Sequence, residues 1–578
     1  MQHDIGDHAL LAGGGTAALV DPEGGVTWLP WPRIDAMPVL RGIVDEVAGG
    51  GFSVGPARGG ARTRRYRPGT LLLETDWECA GAHLEVAEAL VAEGPPRLAR
   101  LARARGGPVE VVVRYRPAGA DGLTVAGTTV HPRSGGEPVL LTPSLEWRPA
   151  AGGIEARLEV GDGEALGLVL APSAGHGGGG GVGAAAAQLL EATTVSWRRR
   201  TAPMRWHRSA LAERVLGAPL SDRLLKLSGG LLLGLTHGSG GIVAAPTTSL
   251  PQWPGSSRTW DYRFAWLRDT SLAALAMLRL GLPDAAAALG DFCGRACQTG
   301  AAPPVLRVDG SRPPPEIEVP EWSGYRGARP VRLGNAAATQ AQVDVLGEVL
   351  DLADALDRAG VLPDSLQRAV PGLAAATLAR WAEPDHGIWE VRGPPRIYTH
   401  SRLMAWTGLR RAAALARRGA VAGSPEAWEA GAATVAEAIV SGGDDGGALL
   451  LHPGGGGPDA ALALAPLVGL LAPDDPRAAA TLGAIATGLG RGGLLDRYQG
   501  TLDEVDEPCA PFLFPTFWLA AALERCGGDG APWLASAASA RGPLGLMGEV
   551  ADPERGTPLG NYPQVQSHAA LVLALTER

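Results

Sequence analysis

The period of the apolar residues changes once along this 578-residue chain and does not change back. Up to about residue 172 the period is two. Ile154, Ala156, Leu158 and Val160 alternate with Glu155, Arg157 and Glu159, and Val109–Tyr115 is rich in β-branched residues, as half-buried strands require. From about residue 203 the spacing is helical. Over Gln340–Leu356 one stripe is Val343, Leu346, Leu350 and Ala353 and a second is Val345, Val349 and Leu352, which leaves so little polar face that this helix has walls on two sides. Between the two regimes Gly175–Gly183 and four alanines read as a linker. Clusters such as Gly106-Gly107-Pro108 separate the early strands without helical crossovers, so the expected first domain is a β-sandwich over 1–175. Linker and linker helices follow over 176–225, and a helical domain over 226–578. Its long Pro/Gly-rich connections carry Trp, Arg, Asp and Glu together, which suggests a closed toroid with a site built by loops at one end. A bundle or a repeat solenoid is the alternative, although no fixed sequence period is present.

Composition narrows the partners. With 51 Lys+Arg against 60 Asp+Glu and no dense basic block, nucleic acid is an unsuitable ligand. Trp outnumbers Tyr and Phe, 16 against 7 and 6, which suits flat apolar platforms carrying one N–H donor, whether for stacking on sugar rings or for filling a core. Five cysteines imply no disulfide framework, and the N-terminus lacks the basic and apolar segments of a signal peptide. The longest apolar stretch, Ala460–Ala472, is broken by Pro466, so no membrane span is expected and the expected location is the cytoplasm.

Two tempting motifs fail on context. Gly51-Phe52-Ser53-Val54-Gly55 matches a nucleophile elbow, but Pro56-Ala57-Arg58-Gly59-Gly60 does not start the helix that an elbow needs. The glycine run lacks the Gly-Lys-Ser/Thr of a phosphate loop. No metal-ligand spacing occurs, Cys293 and Cys297 read as core, and no cofactor is expected.

The block Trp260–Asp269 is the strongest signal: it sets Trp260, Tyr262, Trp266, Arg268 and Asp269 just before an apolar helix, Thr270–Leu280. A helix cap explains Asp269 but not Arg268, and an Arg–Asp pair beside Trp suits grasping vicinal hydroxyls. Two glutamates lie between helices, Glu390 after Trp389 and Glu549 before Asp552-Pro553. Glycoside hydrolysis needs one protonated carboxyl and one ionised one, and an indole beside Glu390 favours the protonated form by desolvation.

Taken in order, these residues resemble glycoside hydrolase family 15 in its bacterial two-domain form, which includes glucoamylase-like α-glucosidases, glucodextranases and trehalases. The resemblance runs nearly end to end, through His8-Ala9-Leu10, Trp28, Pro32-Arg33, Asp35, Ala244–Pro251, Trp260–Asp269, Asp309–Arg312, Gly324-Tyr325-Arg326-Gly327, Gly334-Asn335-Ala336, Gly387–Gly393, Asp552-Pro553, Gly560–Gln564 and Ser567-His568. It implies a β-sandwich followed by an (α/α)6 barrel, and inversion of configuration. It also implies Glu390 as general acid, Glu549 as general base, and Arg268-Asp269 as the grip on the first sugar. Trp260, Tyr262, Trp266, Tyr325, Arg326 and Trp389 complete the expected substrate-binding set.

Departures cluster near that set. Glu549-Val550-Ala551-Asp552-Pro553 lacks a second carboxylate and a Tyr common in relatives, Cys509-Ala510 replaces a Glu-Gly pair, Arg402 replaces a Lys, and Ala12-Gly13-Gly14-Gly15 replaces Gly-Asp-Gly-Arg. The expectation is an exo-acting hydrolase of small α-glucosides of the trehalose, maltose or isomaltose type, with its two carboxyls roughly 6.5–9.5 Å apart. The alternatives are a barrel running another acid/base reaction, such as a cyclisation or elimination, and a ligand-binding homologue without turnover. The partner is a small carbohydrate or glycoside; the oligomeric state is left open.

Overall fold

The computed structural model describes residues 2–119, 122–133, 138–173, 181–500, 502 and 507–577. Most of the expected glycine linker lies outside them. The N-terminal part is two antiparallel sheets, each of eight strands among the described residues. In the first, hydrogen-bonded neighbours run Ala9–Gly13, Thr16–Val20, Gly25–Pro30, Gly51–Pro56, Val109–Arg116, Gly153–Val160 and Arg148–Ala150, with Pro38–Leu40 beside the third. In the second they run Leu123–Ala126, Thr129–Pro132, Val139–Leu141, Ala165–Ala171, Leu98–Arg105, Ala82–Leu90, Leu73–Cys79 and Arg62–Tyr66. Ser53 sits in mid-strand, so the Gly51–Gly55 motif forms no elbow.

The first strands are buried on both faces, and the strand period of two explains why. Ala9, Leu11, Ala18, Val20 and Val26 pack into the sandwich, while Leu10, Ala12, Ala17, Leu19 and Trp28 join the core of the helical domain. One sheet therefore serves as interior to two domains. The helix α1 (Val182–Thr201) covers the outer face of the second sheet through Ala186 and Leu190. Short α2 (Ala210–Val215) leads to α3 (Gly217–Leu235), so a domain start at 226 falls inside a helix.

From α3 the chain alternates between two rings. The inner ring is α4 (Leu267–Arg279), α6 (Asp344–Arg358), α8 (Thr399–Arg417), a 3-10 turn at Ala460–Ala463 running into α10 (Leu464–Val468), α12 (Leu513–Arg525) and α14 (Val565–Leu575). Each touches the next, and α14 returns to α4, which closes the ring. Outside lie α3, α5 (Pro283–Ala296), α7 (Asp364–Arg380), α9 (Pro425–Val440), α11 (Pro476–Leu489) and α13 (Ala531–Ser539). The result is an (α/α)6 toroid after a β-sandwich. The two apolar stripes of α6 match its place, since Leu346, Leu350 and Val349 are all fully buried between neighbours. Helix α6 begins at Asp344, four residues into the segment Gln340–Leu356, and this leaves Gln340 and Gln342 in the approach to it.

Candidate active site

The loops that precede five of the inner helices, α4, α6, α8, α12 and α14, line one cavity. Its lining includes Trp260, Tyr262, Trp266, Arg268, Asp269, Trp389, Glu390 and Glu549. The structure thus brings together all but two of the expected site residues. Tyr325 and Arg326 stand apart: the Tyr325 hydroxyl donates to the His3 carbonyl at 3.0 Å, and the Arg326 guanidinium donates to Asp4 at 2.7 Å. They tie the N-terminus to the barrel and do not line the cavity, a correction to the reading of them as substrate-binding. An aromatic and a cation in a short glycine-flanked loop fit a domain seam as well as a sugar site.

Glu390 follows the loop that turns from α7 towards α8. Its backbone is left-handed, with φ of 55°, a strained state for a residue with a side chain. The conformation is held by Glu390 N donating to Gly387 O at 3.2 Å and Gln340 Nε2 donating to Glu390 O at 3.2 Å. Three donors converge on one carboxyl oxygen, Oε1: Trp266 Nε1 at 2.6 Å, Arg268 Nη2 at 2.9 Å and Gln342 Nε2 at 3.0 Å. Oε2 receives none of these. The side chain of Glu390 remains 21% exposed to the cavity. Trp389 turns away, its indole donating to Asp459 at 2.9 Å and packing on Phe512 and Phe514.

Glu549 faces the cavity from the loop before α14 and is held at both oxygens. The Tyr262 hydroxyl donates to Oε1 at 2.8 Å and Gln252 Nε2 to Oε2 at 2.6 Å. Burial pushes its carboxyl above the usual range, against the pull of those two donors. Tyr262, itself pushed well above its ordinary value by burial and by Glu549, stays a neutral phenol that donates. Its ring meets Trp266 edge-on at 5.7 Å, so the groups serving the two glutamates pack on each other.

Arg268 is less free for a ligand than its sequence setting suggests. Its Nη1 donates to Asp344 and to Gln342, both at 3.0 Å, while Nη2 serves Glu390. Burial works against its charge, but Asp344, Glu390 and Asp269 outweigh that and hold the guanidinium strongly charged. Asp269, in the first turn of α4, takes its own backbone N–H and opens on the cavity. Burial pushes its carboxyl up to about 7. Trp260 has two guanidinium groups over its ring, Arg332 at 4.4 Å and Arg392 at 3.9 Å, which leaves little indole face for a sugar.

The departures fall behind the cavity wall. Cys509 Sγ contacts Gln252 Oε1 at 3.4 Å, so it backs the amide that holds Glu549. Val550 and Ala551 are buried in a short hairpin with Pro558–Leu559. Arg402 lies over Trp381 and donates to Ala438 O, away from the cavity. Gly14 and Gly15, both at positive φ, make the turn joining the first two strands. Sequence reading missed Gln252, Gln342, Asp344 and Arg497; the first stands one residue beyond Ala244–Pro251.

Comparison with known proteins places this geometry. The description Glycosyl hydrolases family 15 matches residues 228–542, and Trehalase-like, N-terminal matches residues 2–153. The chain is 33% identical to a trehalase of Mycobacterium tuberculosis, over 99% of this chain and 89% of the other, and 29% identical to Trehalase 1 of Sulfolobus acidocaldarius over 98% of each. Its fold matches a bacterial glucoamylase solved with acarbose, with a TM-score of 0.68 at 15% identity, covering 99% of this chain and 95% of that one. With the family description matched over residues 228–542, more than half of the chain, and a relative 33% identical over nearly all of it, the chain belongs to glycosyl hydrolase family 15 and is a glycoside hydrolase.

Proposed function

We propose that the protein hydrolyses trehalose and other small α-glucosides by a single displacement with inversion, Glu390 acting as general acid and Glu549 as general base. The observation that carries the reading is the contrast between the two carboxyls. Oε1 of Glu390 already accepts from three N–H donors, so the transferable proton sits on Oε2, the oxygen left open to the cavity. Glu549 is ionised while it works. Each of its oxygens accepts one donor and keeps a lone pair for a water, and a carboxylate raised by burial is the stronger base.

The step balances without any further group. Glu549 takes a proton from water, the water oxygen bonds to C1 from the face opposite the leaving sugar, the C1–O bond breaks, and Glu390 protonates the departing oxygen. Asp269 faces the hydroxyls of the first sugar, and Trp266, Phe512 and Phe514 supply apolar wall. A cavity ending in that grip favours attack at a chain end. Trehalose is ranked first because relatives matching this chain over nearly its whole length bear the name trehalase.

Comparing kcat/KM on trehalose, maltose, isomaltose and soluble starch tests the substrate. Trehalose is expected to lead and starch to trail. A preference for long chains, or mixed oligosaccharides from internal cuts, would contradict the closed cavity.

A further inference from the structure

A guanidinium 2.9 Å from a general acid is an electrostatic difficulty, because a neighbouring cation favours the ionised carboxylate over the protonated one. The structure contains an answer. Asp344, at the first position of α6 and fully buried, takes Arg268 Nη1 on its Oδ2 at 3.0 Å. We propose that Asp344 is a positioning residue acting through Arg268: its buried carboxylate fixes the guanidinium on Glu390 Oε1 and balances its charge, so that Glu390 can deliver a proton to the leaving sugar. This rests on the reading of Glu390 as the acid.

Around Glu390 stand Arg268 and Asp269 from α4, Asp344 and Glu348 from α6, and His400 from α8. Across the cavity are Glu549 and Tyr262, at its border are Arg258, Arg392 and Arg497, and Asp385 lies on the acid's own loop. His400 is 4.0 Å from Asp344 Oδ2, buried with neither ring nitrogen hydrogen-bonded, and burial lowers it to about 4, so it adds no positive charge. Asp269 opens on the cavity rather than on the guanidinium, and no ion pair joins Glu348 to Arg268 among the described residues. Asp344 is the carboxylate that touches Arg268 on the side away from Glu390.

The consequence is a pair of opposite shifts in the alkaline limb of the kcat/KM profile on trehalose, the limb on which the acid loses its proton. Asp344→Asn leaves Arg268 uncancelled and is expected to move that limb down by about one pH unit, with kcat falling more than KM rises. Rates on α-glucosyl fluoride, whose leaving group needs no proton, are expected to change less than threefold. Asp344→Glu restores a charge and is expected to keep the limb within a few tenths of a unit of its original place. Arg268→Gln removes the cation and is expected to move the limb up, which keeps the test alive if Asp344→Asn does not fold.

A limb unmoved in both Asp344→Asn and Arg268→Gln, or one moving the same way in both, overturns the proposal; so does equal loss on trehalose and the fluoride in Asp344→Asn. Glu390→Gln separates the underlying reading. If the alkaline limb persists there, it does not belong to Glu390 and the assignment of the acid fails; if it vanishes, an unmoved limb counts against Asp344 alone.

Discussion

Two identical side chains face one cavity here, and their hydrogen-bond partners distinguish them. If Glu390 gives a proton and Glu549 takes one, replacing each by Gln must produce different patterns. Glu390→Gln is expected to lower kcat/KM on trehalose by about 10²–10⁴-fold while sparing α-glucosyl fluoride. Glu549→Gln is expected to depress both substrates alike, since water must be activated in either case, and parallel losses in the two variants would cancel the assignment. On that assignment the acid limb belongs to Glu549: burial raises its carboxyl, a base must be ionised, and activity is expected to fall as pH drops through its raised value. Tyr262→Phe removes a donor that favours the ionised form, so that limb is expected to move to higher pH, as a kcat/KM profile will show. The glutamates, Trp266, Arg268 and Asp269 were legible in sequence because each sits in a dense local pattern. Gln252, Gln342 and Asp344 were not, because a single amide or acid at the end of a loop carries no periodic or compositional mark. Tyr325 and Arg326 show the converse, a well-marked loop whose contacts lie at a domain seam.

At the scale of elements, the inner ring places the site by bringing helix starts to one end, and close packing sets their register. Helices α6 and α8 cross where Gly347 faces Gly408, with no room for a side chain: a Cβ on Gly347 would overlap the Met404 carbonyl, and one on Gly408 would stand 2.8 Å from Gly347 Cα. Gly347→Ala is therefore expected to cost about 1–3 kcal/mol in thermal or denaturant unfolding, with kcat reduced because α6 carries Asp344 and α8 carries His400. No measurable loss of stability would show that the crossing can open. Behind Trp389, Asp459 accepts the indole N–H and the N–H of Ala461, and burial raises its carboxyl to about 7. A carboxyl raised on folding gives stability that is complete below its unfolded value, about 3.9, and lost as pH rises through about 7. Asp459→Asn imitates the protonated form, so its melting temperature is expected to gain on that of the natural chain by about 2 °C between pH 5 and 8. The helical period announced these elements well, but it did not place their starts: the segment read as helical opens at Gln340 although the helix begins at Asp344.

Across the whole molecule the sandwich is part of the barrel's interior. Strand residues 9–20 feed two cores, the Trp28 indole donates to Pro246 O at 2.7 Å, and Arg263 reaches back to Ala36 O. Asp35 ties the domains by accepting from Arg307 Nε at 3.0 Å and from Arg33. Burial pushes the Asp35 carboxyl up, but the hydrogen bonds and charges of Arg307 and Arg33 prevail and hold it below the usual range. Its contribution is present above about pH 4 and lost as pH falls through its lowered folded value. Asp35→Asn is expected to cost about 1–2 kcal/mol near pH 7, with the difference closing in strong acid; an equal gap at every pH would assign the loss to packing instead. The two-domain division was readable from the change of period, whereas the sharing of one sheet by two cores was visible only as uninterrupted apolar runs in the first strands. In the proposed reaction a water deprotonated by Glu549 attacks C1 of one sugar while Glu390 protonates the departing one. Proton NMR of fresh trehalose hydrolysate, recorded before mutarotation, tests it most directly. Inversion yields β-glucose from the attacked ring and α-glucose from the departing one in equal amounts; α-glucose alone would mean retention, and no glucose at all would contradict the proposed activity.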